Sequence, residues 1–172
     1  MNTKQLAMMW DHLRQTHGIG IRLIETLPAD KIDSTPIPNM RTPKQLVVHM
    51  YMMVFREIAE GVLRGKITEL DEKPTVAGIK THAELVQFAK DQWTATDKAI
   101  AQITDTHLTN IVTTPWNFEA PGFVMLGIIQ DEYLHHRGQL YAYLRALGQD
   151  VPMMWDFEHN APEFQPKQAA QA

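Results

Sequence analysis

The sequence predicts an all-α protein, a four-helix bundle with long crossover connections. Three observations lead there. Apolar residues recur at helical spacing in four separate stretches. Two of the connections between them are much longer than the few residues that usually join neighbouring helices. Nothing alternates with period two over a useful length, so strands are not required.

The first helix is expected from about Thr3 to Thr26, where Leu6, Met9, Trp10, Leu13, Ile19, Leu23 and Ile24 keep one stripe; Gly18 and Gly20 should weaken and bend it. Pro28 to Arg41 holds three prolines and reads as a loop long enough to cross one end of a bundle. Thr42-Pro43-Lys44-Gln45 is a strong helix start, with Thr as N-cap, Pro at the first helical position and Gln closing a capping box. Leu46, His49, Met50, Met53, Val54, Ile58 and Val62 continue that second helix to Gly65. A loop follows to about Lys80. Thr81 and Glu84 supply another capping box, and Leu85, Phe88, Ala89, Trp93, Ala99, Ile100 and Ile103 mark a third helix ending near Asp105.

Thr106 to Gly122 is the second long connection, and Trp116 and Phe118 within it suggest a packed loop. The fourth helix runs from Gly122 to Gly148, the glycine serving as a left-handed stop. Val151 to Phe157 is apolar enough to pack back on the bundle. Residues 1–164 thus read as one domain and residues 165–172, ending in QAAQA, as a flexible tail.

At 172 residues the chain can bury a proper core without staples. Sixteen basic and twenty acidic residues give a net charge of -4, with no run of Lys or Arg, which argues against nucleic acid as a partner. The absence of Cys removes disulfides, zinc-thiolate sites and a cysteine nucleophile together. The N-terminal stretch has no signal-peptide pattern, and no segment approaches the roughly 18 uninterrupted apolar residues of a membrane span. No membrane partner and a cytoplasmic location are the expectation. No phosphate loop, G-x-S-x-G or H-E-x-x-H occurs, which sets aside nucleotide hydrolases, serine hydrolases and ordinary zinc proteases.

The chemistry is concentrated in the fourth helix. Met125, Ile129, Glu132, His136, Leu140 and Tyr143 step by three or four and form one stripe, so a carboxylate and an imidazole occupy core-facing positions one turn apart. Neither is cheap to bury without a partner, and a divalent ion satisfies both. With His49 from the second helix, the ligand set would be His49, Glu132 and His136 around one divalent metal ion per chain. Zinc, nickel, iron and manganese all suit such N and O donors, and open positions would remain for water or substrate. Apart from a metal, Glu132 and His136 read as a surface pair, and His49 as a hydrogen-bonded core histidine. His135 lies about 100° around the helix and is assigned to packing, with a substitute ligand role if Glu132 does not bind. Arg137 and Gln139 are expected to make structural polar contacts. His12, His17, His82, His107 and His159 are read as surface or loop histidines.

His135-His136-Arg137-Gly138-Gln139, followed by Leu140, Tyr143-Leu144-Arg145 and Gly148, resembles the signature of the DinB/YfiT-like family. The segment Leu46 to Met50 with its histidine and the closing Trp155 to Phe157 extend the likeness over most of the chain. The resemblance implies a four-helix bundle, a homodimer, and a divalent metal held by three histidines, one from the second helix and two from an H-x-x-x-H pair on the last. Carried over, the ligands are His49, the residue at 132, and His136; here position 132 is Glu, which hardens the site and adds a negative charge. Characterised members of the resembled family include thiol-dependent transferases and isomerases. A thiol-dependent S-transferase acting on small electrophiles is therefore the best named chemistry, with a low-molecular-weight thiol as cosubstrate. A non-catalytic, damage-inducible metal-binding protein is the alternative. A third reading is a structural bundle in which Glu132 pairs with Arg137 or a histidine. The homodimer also draws on Ile128, Tyr133 and Tyr141, expected as apolar faces left over by the core.

Overall fold

The computed structural model describes residues 1–165. Helix α1 (Thr3–Thr26) starts on a capping box, the Asn2 side chain accepting from the Gln5 amide and Gln5 returning the bond. It runs unbroken through Gly18 and Gly20. Their role is close approach, not bending: a Cβ at Gly20 would collide with the Tyr133 hydroxyl, and one at Gly18 with the Asn160 side chain.

The second long helix begins at the expected Thr42–Gln45 capping box. It is not uniform. Helix α2 (Pro43–Val48) passes directly into a π-helical stretch (His49–Glu57) and then into α3 (Ile58–Arg64). The wider turn begins at His49, and such widenings are frequent at functional sites. Helix α5 (His82–Ile100) starts on its Thr81–Glu84 capping box. Helix α7 (Gly122–Ala146) ends before Gly148, which takes the left-handed conformation with φ of 71°.

The connections hold more structure than expected. The first contains a 3-10 turn (Ala29–Lys31), the second a short α4 (Lys73–Gly78). The third folds into α6 (Asp105–Thr109), capped by Thr104, and a hairpin of β1 (Ile111–Thr113) and β2 (Glu119–Pro121). The strands pair antiparallel with Val112 opposite Ala120. Three-residue strands are too short to display alternation, which is why no strand signal is visible in the sequence.

One core joins α1, the helix over 43–64, α5 and α7. At its centre Trp10 and Trp93 stack at 4.9 Å, and Phe55 meets both edge-on. His17 is fully buried against Trp93 at 3.9 Å, within reach of the rings of Tyr51, Phe55 and Phe164; it is no surface histidine. Tyr133, buried with its hydroxyl donating to the Thr16 carbonyl, and Tyr141 belong to this core and do not form a spare outer face.

After Gly148 the chain returns across α1, and Val151 and Phe157 pack on the core as expected, whereas Met153, Met154 and Trp155 between them are exposed. Further packing comes from Asn160, which donates to the Gln15 carbonyl, and from buried Phe164. Arg22 binds the Asp156 carboxylate and carbonyl and ties this strap down. Of the expected tail only Gln165 is described, held to the Phe157 and Asn160 carbonyls; the rest lies outside the described residues.

Candidate functional site

His49 stands where the second helix widens, and His136 in the C-terminal half of α7. Their ring centroids are 5.1 Å apart and nearly perpendicular. His49 Nδ1 lies 2.6 Å from Glu72 Oε1, just before α4. Since a carboxylate only accepts, Nδ1 carries a proton, which in the neutral ring leaves the lone pair on Nε2. His136 Nδ1 lies 2.9 Å from Gln139 Oε1, while Gln139 Nε2 donates to His135 Nε2 at 3.1 Å. The amide therefore fixes His136 in the same tautomer as His49. Both imidazoles are ligand-ready at Nε2, each with the outer hydrogen bond that ligating histidines ordinarily make.

The third residue, Glu132, is one turn before His136. Its side chain is 47% exposed, so it does not sit in the core as the stripe on α7 implied. Glu132 Oε2 is nevertheless 3.3 Å from His136 Nε2. That nitrogen is buried and makes no hydrogen bond. With the proton on Nδ1, an imidazole nitrogen lone pair and a carboxylate are left close together. Two acceptors at this distance repel unless a proton or cation stands between them, and imidazole nitrogens with a carboxylate are donor types that a divalent ion accepts. Burial holds the His136 pKa below the ordinary histidine value, against the raising effects of Gln139 and Glu132. The neutral, metal-competent form is favoured.

Among the described residues, only Asp156, Glu158 and His159 bring three ligand atoms within 4.8 Å of one another; His49, Glu132 and His136 do not all approach that closely. The chemistry of the closer group suits a cation less well. Both Asp156 oxygens are taken, one by the Arg22 guanidinium at 2.5 Å and one by His159, and an arginine beside the carboxylate opposes a second positive charge.

A cavity of about 320 Å³ opens against His49 and Glu132. Its walls are Val54 and Ile58 from the second helix, Met125 and Ile128 from α7, and Trp116 and Phe118 from the hairpin loop. Sequence reasoning placed the two aromatics in a packed loop; in the structure both are substantially exposed at the cavity. It missed Glu72 altogether, because a residue in a loop, 23 positions from His49, carries no spacing signal. Gln139 was visible only as three residues beyond His136 and was given no connection to a ligand. His135 is exposed and its ring meets that of His136 edge-on, 5.1 Å away. Arg137 is buried over the Tyr133 ring, a structural contact as expected.

Fold and site together define a helical-bundle protein with imidazoles facing each other from two helices, one of which lines an apolar cavity together with a carboxylate. The model of the DinB family matches residues 1–168, and the chain belongs to that family. Among solved structures it is similar to a DinB-like protein from Bacillus subtilis, at a TM-score of 0.69 and 20% identity over 87% of this chain and 96% of that one. It is similar also to one from Bacillus cereus, at 0.68 and 19% over 87% and 95%. These likenesses establish the four-helix fold. No curated protein matches the chain.

Proposed function

We propose that this DinB-family protein binds one divalent metal ion through His49 Nε2, His136 Nε2 and the Glu132 carboxylate, and acts on a small molecule held in the adjoining cavity. The observation that carries the reading is the unbonded, buried His136 Nε2 facing Glu132 Oε2 at 3.3 Å. Glu72 and Gln139 orient the imidazoles. Half-exposed Glu132 has the rotamer freedom to turn toward an ion shared with His49. A zinc, nickel, iron or manganese ion there would supply Lewis-acid activation of a nucleophile at neutral pH. Because the chain has no Cys, a thiol nucleophile has to arrive as a low-molecular-weight cosubstrate, consistent with thiol-dependent S-transfer to a small electrophile. The cavity beside the proposed ligands favours an enzyme over a damage-inducible protein that binds metal without turnover.

Elemental analysis of protein purified without a histidine tag tests the proposal, with close to one equivalent of metal expected. Glu132→Gln keeps the side-chain size but removes the charge, and should lower zinc affinity at least tenfold. Glu132→His should restore it by rebuilding the three-histidine set. Failure of the wild-type chain to take up any of the four metals at micromolar concentration would sink the proposal. Unchanged affinity in Glu132→Gln would remove Glu132 from the ligand set and pass its position to His135 or water. Turnover is then sought by screening thiols against electrophiles.

A further inference from the structure

Arg14, Lys44, Glu57 and Arg137 are all more than nine-tenths buried. The first three have a counter-charge: Arg14 meets Asp97 at 2.5 Å, Lys44 meets Asp33 at 2.7 Å, and Glu57 meets Arg64 at 2.6 Å. Arg137, 6% exposed, has no ion pair and no hydrogen bond among the described residues, and its Nη1 is sealed from solvent. Its recorded neighbour is the face of the Tyr133 ring, 5.9 Å from the guanidinium carbon. A ring quadrupole attracts a cation but does not replace the counter-charge that burial demands.

A second unused donor lies one turn further along α7. Tyr141, four residues on and therefore on the same helix face, has a buried hydroxyl with no partner. Arg145 stands over its ring at 5.4 Å. Burial raises the Tyr141 pKa, while Arg137, Arg145 and Arg22 oppose the rise and Asp156 adds to it. Three guanidiniums thus act on this hydroxyl against one carboxylate. That carboxylate is already bound by Arg22 and His159.

We propose that Arg137 and Tyr141 form a site for one small monovalent anion, of the size and charge of chloride, where α7 meets α1 and the closing strap. Water could take up the unused hydrogen bonds, but it would leave the guanidinium charge unanswered. A guanidinium offers only donors, so what binds it has to accept. One uncompensated buried charge sets the valence, and donors this deep exclude bulky anions. The site is separate from His49, Glu132 and His136, and it stands or falls independently of metal binding.

The experiment follows urea unfolding of the full chain in sodium chloride and in sodium gluconate at equal ionic strength, gluconate being the bulky reference. EDTA treatment beforehand removes any metal on which a halide could sit. Chloride should stabilise the protein saturably, lowering the unfolding equilibrium constant about elevenfold at ten times its dissociation constant. Tyr141→Phe should weaken chloride about threefold or more, the loss of one hydrogen bond. Arg137→Met should abolish the chloride response and, in gluconate, be no less stable than the wild type, because it removes a buried charge. Crystals grown in bromide should give an anomalous peak beside the Arg137 guanidinium and Tyr141 Oη. A wild-type stability equal in chloride and gluconate, or a chloride response that persists in Arg137→Met, would overturn the inference. Should Arg137→Met fail to fold, the absence of the bromide peak together with unchanged chloride affinity in Tyr141→Phe would overturn it instead.

Discussion

His17 lies at the centre of the bundle with neither ring nitrogen hydrogen-bonded. A neutral imidazole stacked on Trp93 retains its dispersion contacts but leaves two polar atoms unsatisfied, each costing about 1–3 kcal/mol. Burial, then the Arg14 guanidinium, holds its pKa well below the ordinary 6.5, with Asp97 pulling weakly the other way. The unfolded chain takes up this proton near pH 6.5 and the folded chain does not. Stability from this group is therefore complete above that pH and is lost as pH falls from there toward the depressed folded value. Replacing His17 by Phe should flatten the decline between pH 7 and pH 5, with little or no loss at pH 7.5. His136, lowered in the same direction, remains in both proteins, so the difference between their urea-unfolding curves isolates His17. Parallel curves at the two pH values would show that His17 is protonated in the native protein.

The elements that shape the site are the short ones. Helix α6 and the hairpin are carried on the start of α7, where Gly122 has no side chain because the His107 carbonyl occupies that space. Its amide donates to the Asn110 carbonyl at 3.0 Å, closing the same junction. Gly122→Ala should push α6 and the hairpin away, at a cost of about 1–3 kcal/mol from overpacking. Because Trp116 and Phe118 ride on that hairpin, their ring signals should shift in the same variant. A fully stable Gly122→Ala protein with wild-type Trp116 and Phe118 signals would show that the junction is not rigid. The sequence disclosed the long elements through capping boxes and apolar stripes, which are local signals. It hid α4, α6 and the strands, whose few residues carry too little periodicity. It also hid the π-helical turn, since the same apolar stripe accommodates either winding until neighbouring helices decide.

At the scale of the whole molecule, the core takes in most of the stripe residues together with others they did not mark, among them His17, Tyr51, Phe55, Tyr133, Tyr141 and Phe164. His49 and His136 were legible as polar interruptions of apolar faces. Glu132 shared that pattern yet turned outward, because a long side chain can leave a core-facing position for solvent. No described helix is long and apolar enough to cross a membrane. The homodimer remains a proposal, and its support has changed. With Tyr133 and Tyr141 consumed by the core, an exposed run of apolar residues open to a partner is Met153, Met154 and Trp155. Sedimentation at micromolar concentration should give twice the 19.7 kDa chain mass, and Trp155→Lys should shift it toward the monomer. A wild-type monomer would count against the dimer.

Phe164 closes the ring cluster around His17, and it follows every helix of the bundle in chain order. A nascent chain emerging from the ribosome can bring Trp10, His17, Phe55, Trp93 and Tyr133 together, but the exposed side of His17 stays wet until the closing strap is synthesised. Closure of the core therefore depends on the strap that follows the helices, and a chain cut before Asp156 should keep its helices while leaving His17 open to water.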